Sequence, residues 1–295
     1  LWSRMWGTNA VDVGEDVEIV EGGFLVAGYS NGTGHGGYDG VLTRMDDQGN
    51  VLWSRSYGTE GWDMIREVSV GTNGLYLVGT TYGTTGGDAD LWVVHTDLEG
   101  NEIWERSFGT DFDDAGWGCA TTADGGCVVV GEFGGTDGLT DGVLHRLDQE
   151  GDLLWQVDWP GAESESAHDV IEAQGGGFIM AGITNSVYPF QQILLSKVTD
   201  EGEVQWTNSH GLISDWEAWD VQEQADGDIL VAASTSSSGS GGWDMYLLIT
   251  DPDGAFEGGR TYGGIEDEKG RALAHCADGG VVLAGSSTSY GPGIE

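Results

Sequence analysis

Asp46-Asp47-Gln48-Gly49-Asn50-Val51-Leu52-Trp53 recurs as Asp97-Leu98-Glu99-Gly100-Asn101-Glu102-Ile103-Trp104 and as Asp148-Gln149-Glu150-Gly151-Asp152-Leu153-Leu154-Trp155. Each copy reads as a tight turn, opened by an Asp that bonds backbone amides and closed by a Gly in the left-handed region, and then as a strand carrying an indole. The indoles keep one ruler: Trp2, Trp53, Trp104, Trp155 and Trp206 are each 51 residues apart by subtraction. A period of that length marks an array of one small unit, since a single chain-wide core would leave no such spacing.

Working outward from the turn, each unit holds four apolar runs, clearest at residues 16–20, 24–29, 41–45 and 51–57. They are short, rich in Val, Ile, Leu, Tyr and Trp, and bounded by Gly, Asp or Asn, which is the strand signature. Gly22-Gly23, Asn73-Gly74, Asp124-Gly125-Gly126, Gly175-Gly176-Gly177, Asp226-Gly227 and Asp278-Gly279-Gly280 join the first two runs, so six hairpins of this kind are expected. The links from the second run to the third (30–39, 81–90, 134–141, 185–192, 234–244) are long and rich in Gly, Ser and Thr. They gather at one end of each sheet, the usual place for function.

A four-stranded sheet of this size cannot bury both faces alone, and radial packing protects its edges. The fold expected is therefore all-β: a six-bladed β-propeller of four-stranded antiparallel blades, one domain spanning 1–295, with repeats 2–52, 53–103, 104–154, 155–205 and 206–256 and a partial repeat 257–295. The last repeat lacks its third strand. It is expected either to stay incomplete or to be closed by the N-terminal strand around Trp2, the chain being whole or cut from a longer polypeptide.

The segment Arg44-Met-Asp-Asp-Gln-Gly-Asn-Val-Leu-Trp53, with its counterparts ending at Trp104, Trp155 and Trp206, resembles the tryptophan-docking repeat of pyrroloquinoline-quinone-type propellers. The longer pattern of Trp, Gly-Thr, Asp, Gly-Gly and apolar-Val-x-Gly is similar to the repeat of bacterial and archaeal cell-surface propellers. The quinoproteins of that superfamily use adjacent cysteines with calcium ligands. Cys119, Cys127 and Cys276 include no adjacent pair, so their chemistry and cofactor are not carried over.

Composition bounds the environment. Fifty acidic residues against ten basic ones leave a net charge of −40, and Lys197 and Lys269 are the only lysines. Nucleic acid and anionic membranes are excluded as partners, because phosphate contacts need Lys and Arg. The acid excess matches a salt-adapted, halophilic surface or an extracellular, calcium-rich setting, and an extracellular or cell-surface location is expected. No apolar run is long enough to span a bilayer as a helix. The three cysteines, odd in number and without zinc-ligand spacing, read as buried free thiols.

Candidate site residues fall into three groups. Asp12, Asp63 and Asp114 stand at one repeated position, before the first strand, and Asp39, Asp90, Asp141 and Asp244 at another, before the third. They are candidate weak calcium ligands, set against plain turn capping. Glu18, Glu172, Glu223 and His275, counted back from the hairpin glycines, form a candidate row of titratable groups on the first strands, set against hydrogen bonding between blades. The six histidines occupy different positions in different units, and no triad or phosphate loop is present.

The aromatics Trp62, Phe112, Tyr188, Phe190, Trp216, Trp243 and Tyr290 lie in or beside the long loops, where an exposed ring suits a sugar or a protein partner. Asn31-Gly32-Thr33 is a candidate glycosylation sequon. The expectation is a non-enzymatic propeller, a binding or assembly scaffold for protein or carbohydrate at its long-loop face, able to self-assemble into a filament through the open strand position. No cofactor is assigned beyond calcium. The alternative is a hydrolase or lyase at the loop-side mouth of the channel, to be recognised by two or three titratable groups within hydrogen-bond reach.

With a charge of −40, screening of self-repulsion should raise the unfolding temperature steeply between low and molar NaCl. Melting curves in NaCl, repeated with CaCl2 at equal ionic strength, check this. A gain confined to CaCl2 would assign the loop aspartates as specific ligands.

Overall fold

The computed structural model describes residues 2–295 except 35, 84–87, 188, 212, 238, 240, 277–278 and 290–295. Tyr188, Tyr290 and His35 thus lie outside the described residues. All the regular structure described is antiparallel β, in six sheets. The first sheet is β1 (Asp12–Val20), β2 (Gly23–Ser30), β3 (Asp39–Asp46) and β4 (Val51–Tyr57). The second is β5 (Asp63–Val70), β6 (Leu75–Thr81), β7 (Asp90–Thr96) and β8 (Glu102–Phe108), and the third is β9 (Ala115–Thr121), β10 (Cys127–Gly134), β11 (Thr140–Leu147) and β12 (Leu153–Trp159). The fourth is β13 (Glu165–Glu172), β14 (Phe178–Thr184), β15 (Gln192–Val198) and β16 (Val204–His210). The fifth is β17 (Trp216–Glu223), β18 (Ile229–Thr235), β19 (Asp244–Thr250) and β20 (Phe256–Tyr262), and the sixth holds β21 (Glu268–His275) and β22 (Val281–Ser287). Strand order in every sheet follows the chain.

Two compact units divide the chain: Leu1–Gly138 with Leu144–Gln156, and Leu139–Val143 with Val157–Glu295. In the first, Leu25, Leu42, Ile65, Val68, Leu77 and Val94 form a core between the first and second sheets. In the second, Ile179, Leu195, Val221, Val231 and Leu248 do the same between the fourth and fifth, while Leu230 and Leu273 join the fifth and sixth. The middle strands β6 and β18 are buried throughout, whereas the fourth strands β4, β8, β16 and β20 are largely exposed.

The turn motif performs two jobs. Asp46 Oδ1 accepts hydrogen bonds from the amides of Gln48 and Asn50, and Asp97, Asp148 and Asp251 repeat the pattern. In the fourth sheet Thr199 Oγ1 takes the role at the same turn length, so the turn at Asp200 is not a shortened form. The closing glycines Gly49, Gly100, Gly151 and Gly254 have φ of 73°, 75°, 82° and 73°. Against them lie Trp2, Trp53, Trp104 and Trp206 from the strand or segment one repeat earlier, so close that a Cβ on the glycine would stand 2.6–3.0 Å from the indole. Trp2 and Trp104 also donate Nε1–H to Asp47 O and Gln149 O at 2.8 and 2.9 Å.

These indoles are half-buried or exposed, Trp2 at 50%. They clamp turns of the next repeat, and Trp53 and Trp206 also pack against the apolar clusters between sheets. Of the two forms expected for the last repeat, the incomplete one is found: residues 2–8 form no strand, and the sixth sheet has two strands among the described residues. An outer strand needs a third strand to pair with, and β21–β22 offers none.

Every first strand carries one bulge at the same place. The register skips Glu15, Arg66, Trp117, His168, Trp219 and Arg271 in β1, β5, β9, β13, β17 and β21. In five of the sheets a glycine of the second strand lies against the carbonyl two residues before the bulged one, while Ala233 holds that place in the fifth. A Cβ on Gly79 would stand 1.8 Å from Met64 O, and one on Gly28, Gly131 or Gly182 2.0 Å from the equivalent carbonyl. This accounts for the repeated apolar-Val-x-Gly pattern. Gly79→Ala should lose about 1–3 kcal/mol or more by overpacking against backbone, while Gly175→Ala, with open space around it, should stay within about 0.5 kcal/mol. Paired urea denaturation curves check the contrast.

Candidate functional site

A bulge bends its strand and re-aims a side chain, which is why bulges gather beside active sites. In the second unit the bulged residues are His168, Trp219 and Arg271, on the first strands of three successive sheets. The His168 ring stacks on Trp219 at 4.3 Å and 14°, and the Arg271 guanidinium lies 3.8 Å from the same indole's centre. His168 Nδ1 is 2.6 Å from Ala218 O, so Nδ1 carries a proton and donates it to that carbonyl. Arg271 is exposed, and among the described residues no carboxylate pairs with it.

Directly after the bulge stands an acid. Asp169 accepts the amide of Val221 at 2.8 Å and that of Val170 at 2.7 Å; Asp220 accepts the amide of Leu273 at 2.7 Å. Each aspartate therefore ties its own sheet to the next. The two carboxyls also meet: Asp169 is 9% exposed, and its side chain hydrogen-bonds to Asp220. Burial first, and then the charge of Asp220, push the Asp169 carboxyl well above the usual carboxylate range, despite the two amides it receives.

Toward the long-loop end of the same strands, Lys269 Nζ pairs with Glu217 at 3.0 Å and lies 4.3 Å from the centre of the Trp243 ring. Trp219 Nε1 donates to Glu217 at 3.4 Å. These strands thus carry a buried acid pair, an imidazole, an ion pair and an exposed guanidinium.

The expected row of Glu18, Glu172, Glu223 and His275 is corrected in two respects. Glu172, Glu223 and His275 share one register position, but its counterpart on β1 is Ile19; Glu18 lies one residue earlier and so on the opposite face. The hairpin after β1 is shorter than the others, which displaced the count. Glu223 caps the Gln174 amide at 2.7 Å, while Glu172 and His275 are exposed. Glu18 sits beside Asp16 on β1, where burial and then the Asp16 charge raise its carboxyl to about 6. The titratable pair was legible another way: Asp16, Glu67, Asp169 and Asp220 stand on the same 51-residue ruler as the tryptophans.

The loop aspartates staple their own loops. Asp12 accepts Thr8 N and Ser30 Oγ at 2.7 and 2.6 Å; Asp63 accepts Thr59 N at 2.6 Å and the Thr81 hydroxyl; Asp114 accepts Thr110 N and, at 2.7 Å, Gly134 N. Glu165 and Glu268 take this place in the fourth and sixth sheets, accepting Thr184 Oγ1 and Ser287 Oγ at 2.7 Å. Asp39 and Asp244 are buried, Asp90 and Asp141 half-buried, and Asp90 with Asp114 flanks Gly109. Among the described residues no group of three or more His, Cys, Asp or Glu is set to hold a metal ion. Cys119, Cys127 and Cys276 are free thiols.

The aromatics divide as well. Trp216 is 6% exposed, in the core edge-on to Tyr246, and offers no binding face. Phe190 and Trp243 are half-buried, while Trp62 and Phe112 are 55% and 39% exposed. Asn31 is exposed, and its Oδ1 accepts the Val11 amide at 2.8 Å. Among the described residues no helix is long and apolar enough to cross a membrane.

No family model matches the chain, and no curated protein matches it either. Solved structures similar to it include the periplasmic gluconolactonase of Pseudomonas aeruginosa, 14% identical over 90% of this chain and 75% of that one, TM-score 0.58. The Pan2 WD40 domain of Neurospora crassa is 11% identical over 91% of this chain and 71% of that one, TM-score 0.54. A thermostable family-43 glycoside hydrolase is 14% identical over 98% of both chains, TM-score 0.46. At these identities the likeness shows the fold, which is of the β-propeller type. Contrary to the expected non-enzymatic scaffold or filament subunit, the solved structures similar to the chain include an enzyme, the gluconolactonase.

Because the folded-state pKa of Asp169 is raised, its neutral form favours folding at low pH. That contribution is lost as pH rises from the unfolded value of about 3.9 toward the folded one. Asp169→Asn cannot ionise, so its unfolding temperature relative to wild type should climb steadily as pH increases from about 4. Parallel thermal melts across pH check the sign, and a gap that does not vary with pH would refute it.

Proposed function

We propose that this chain is a hydrolase of carboxylic esters or lactones, built on a six-bladed propeller of the tryptophan-docking kind, with Asp169 and Asp220 as its acid–base pair. The observation that carries the reading is the meeting of two aspartates on neighbouring first strands, each also bonded to an amide of the next sheet. Carboxyls that divide glycosidic bonds stand about 5–9.5 Å apart, leaving room for the sugar or a water. A directly hydrogen-bonded pair is the arrangement in which one acid activates water and the other protonates a carbonyl. That separation favours an acyl bond over a glycosidic one, and the lactonase among the structural neighbours agrees with it.

In this reading Asp220 takes a proton from water as its oxygen attacks the acyl carbon, and Asp169 gives its proton to the carbonyl oxygen. When the tetrahedral adduct collapses, the leaving oxygen takes the proton from Asp220 and Asp169 recovers its own. Arg271 and the Nε2 face of His168 flank the pair through Trp219 and orient the acyl group. The six-blade count is supported by the six successive sheets, five of them four-stranded.

Hydrolysis of glucono-1,5-lactone and p-nitrophenyl acetate followed by pH-stat and absorbance tests the reading. Asp169→Asn and Asp220→Asn should each lower kcat about 10²–10⁴-fold with folding intact, and wild-type activity should fall as pH rises through the Asp169 transition. An inactive wild type, or variants as active as it, would overturn the assignment.

A further inference from the structure

In the first unit four aromatic rings follow one another at the long-loop end of the first two sheets. Tyr29 meets Tyr38 at 5.4 Å and 87°, Tyr38 meets Trp62 at 5.5 Å and 84°, and Trp62 meets Tyr82 at 6.4 Å and 68°. Trp62 and Tyr82 are 55% and 39% exposed. Rings left in water at this level are normally single; a contiguous strip marks a contact site.

The strip is held in place before any ligand arrives. Gly37 lies so close beneath Trp62 that a Cβ there would stand 2.1 Å from the indole Cδ1. The backbone bonds Gly37 N to Gly61 O at 2.9 Å and Tyr82 N to Trp62 O at 2.9 Å. Its inner end is polar. Glu15 and Arg66, the bulged residues of β1 and β5, both adjoin the Tyr29 phenol. The Arg66 guanidinium is stacked 4.1 Å from the centre of Trp117, and its Nε is buried without a hydrogen-bond partner among the described residues. A buried donor left unsatisfied is costly unless something brings it an acceptor.

We infer that the Tyr29–Tyr38–Trp62–Tyr82 strip is a binding site for a neutral oligosaccharide, with Arg66 and Glu15 hydrogen-bonding the hydroxyls of its innermost ring. The strip is one ring wide and flanked by glycines and Thr59, too narrow for the broad apolar core of a protein interface. It suits the C–H face of a pyranose, whose hydroxyls reach phenol oxygens to either side. The charge of −40 disfavours an anionic polymer, which leaves uncharged sugars. The site is independent of the Asp169–Asp220 reading: it is defined by binding alone, and either assignment survives failure of the other.

The test is calorimetric titration of the wild-type chain, at molar NaCl, with cellohexaose, xylohexaose, mannohexaose, maltohexaose and chitohexaose up to about 10 mM. At least one should bind. Trp62→Ala should weaken it roughly tenfold or more with an unchanged unfolding temperature, Trp62→Phe should restore much of the affinity, and Phe112→Ala, at another exposed ring, should leave it unchanged. No binding of any sugar overturns the proposal, as does binding indifferent to Trp62→Ala. Trp62-dependent self-association in sedimentation without sugar binding would likewise overturn it, by making the strip a protein contact.

Discussion

The contact on which most of this architecture rests is that of a bulged carbonyl against a bare Cα. In β5 the extra residue Arg66 drives the Met64 carbonyl toward β6, where Gly79 admits it. The same contact recurs at Gly28, Gly131, Gly182 and Gly285. Its consequences run outward along the strand. The bulged side chain leaves the pleat's alternation, and in three sheets the next residue is an Asp that accepts an amide of the following sheet. Asp16 to Val68, Asp169 to Val221 and Asp220 to Leu273 are three such ties. One steric device therefore both attaches sheet to sheet and presents the row from which the candidate site is made.

The indole clamp on the outer side is complementary. A turn closed by glycine at φ near 75° offers a flat backbone surface, and only an aromatic ring from the preceding repeat covers it without needing a partner strand. That explains why Trp2 docks on Gly49 like its fellows although residues 2–8 form no strand. The clamp needs the turn, not the ladder. Such half-exposed contacts are worth less than full burial of an indole, and the cores lie deeper, around Leu77 and Val231.

Period, strand order and turn chemistry were legible in the sequence because they depend on local rules: Asp and Gly positions for turns, alternation for strands, the tryptophan ruler for the repeat. The candidate site was not, for a reason visible at Glu18. Counting back from the hairpin glycines assumes equal hairpins, but the turn after Val20 is shorter than the one after Glu172, and a one-residue error moves a side chain to the other face. The bulge was hidden also, since a skipped residue leaves no compositional mark beyond the glycine opposite it. Trp216 was misplaced because the ruler position held by Asp12, Asp63, Asp114 and Glu165 in other repeats is here an aromatic that enters the core. What could have been read was the second ruler, in which Asp169 and Asp220 follow each other at one repeat's distance.

Whether that pair serves only to join sheets can be weighed from the other joints. Between the second and third sheets the Ser69 hydroxyl accepts the Thr121 amide at 3.0 Å, with no charge to bury. Asp16 performs its tie with burial as the only influence raising its carboxyl, and no second acid contributes. A joint thus needs neither a carboxylate nor a pair of them. Asp169 and Asp220 nevertheless bring two acids together where burial and then mutual repulsion raise the Asp169 carboxyl well above the usual carboxylate range, an arrangement that lowers stability as pH rises and adds no hydrogen bond a serine could not supply. Beside them stand an imidazole, an indole and an unpaired guanidinium in contact. Groups held in an unfavourable protonation state, next to a cation in a chain with five acids for every base, are what a proton-transfer site requires and what a purely structural joint would shed.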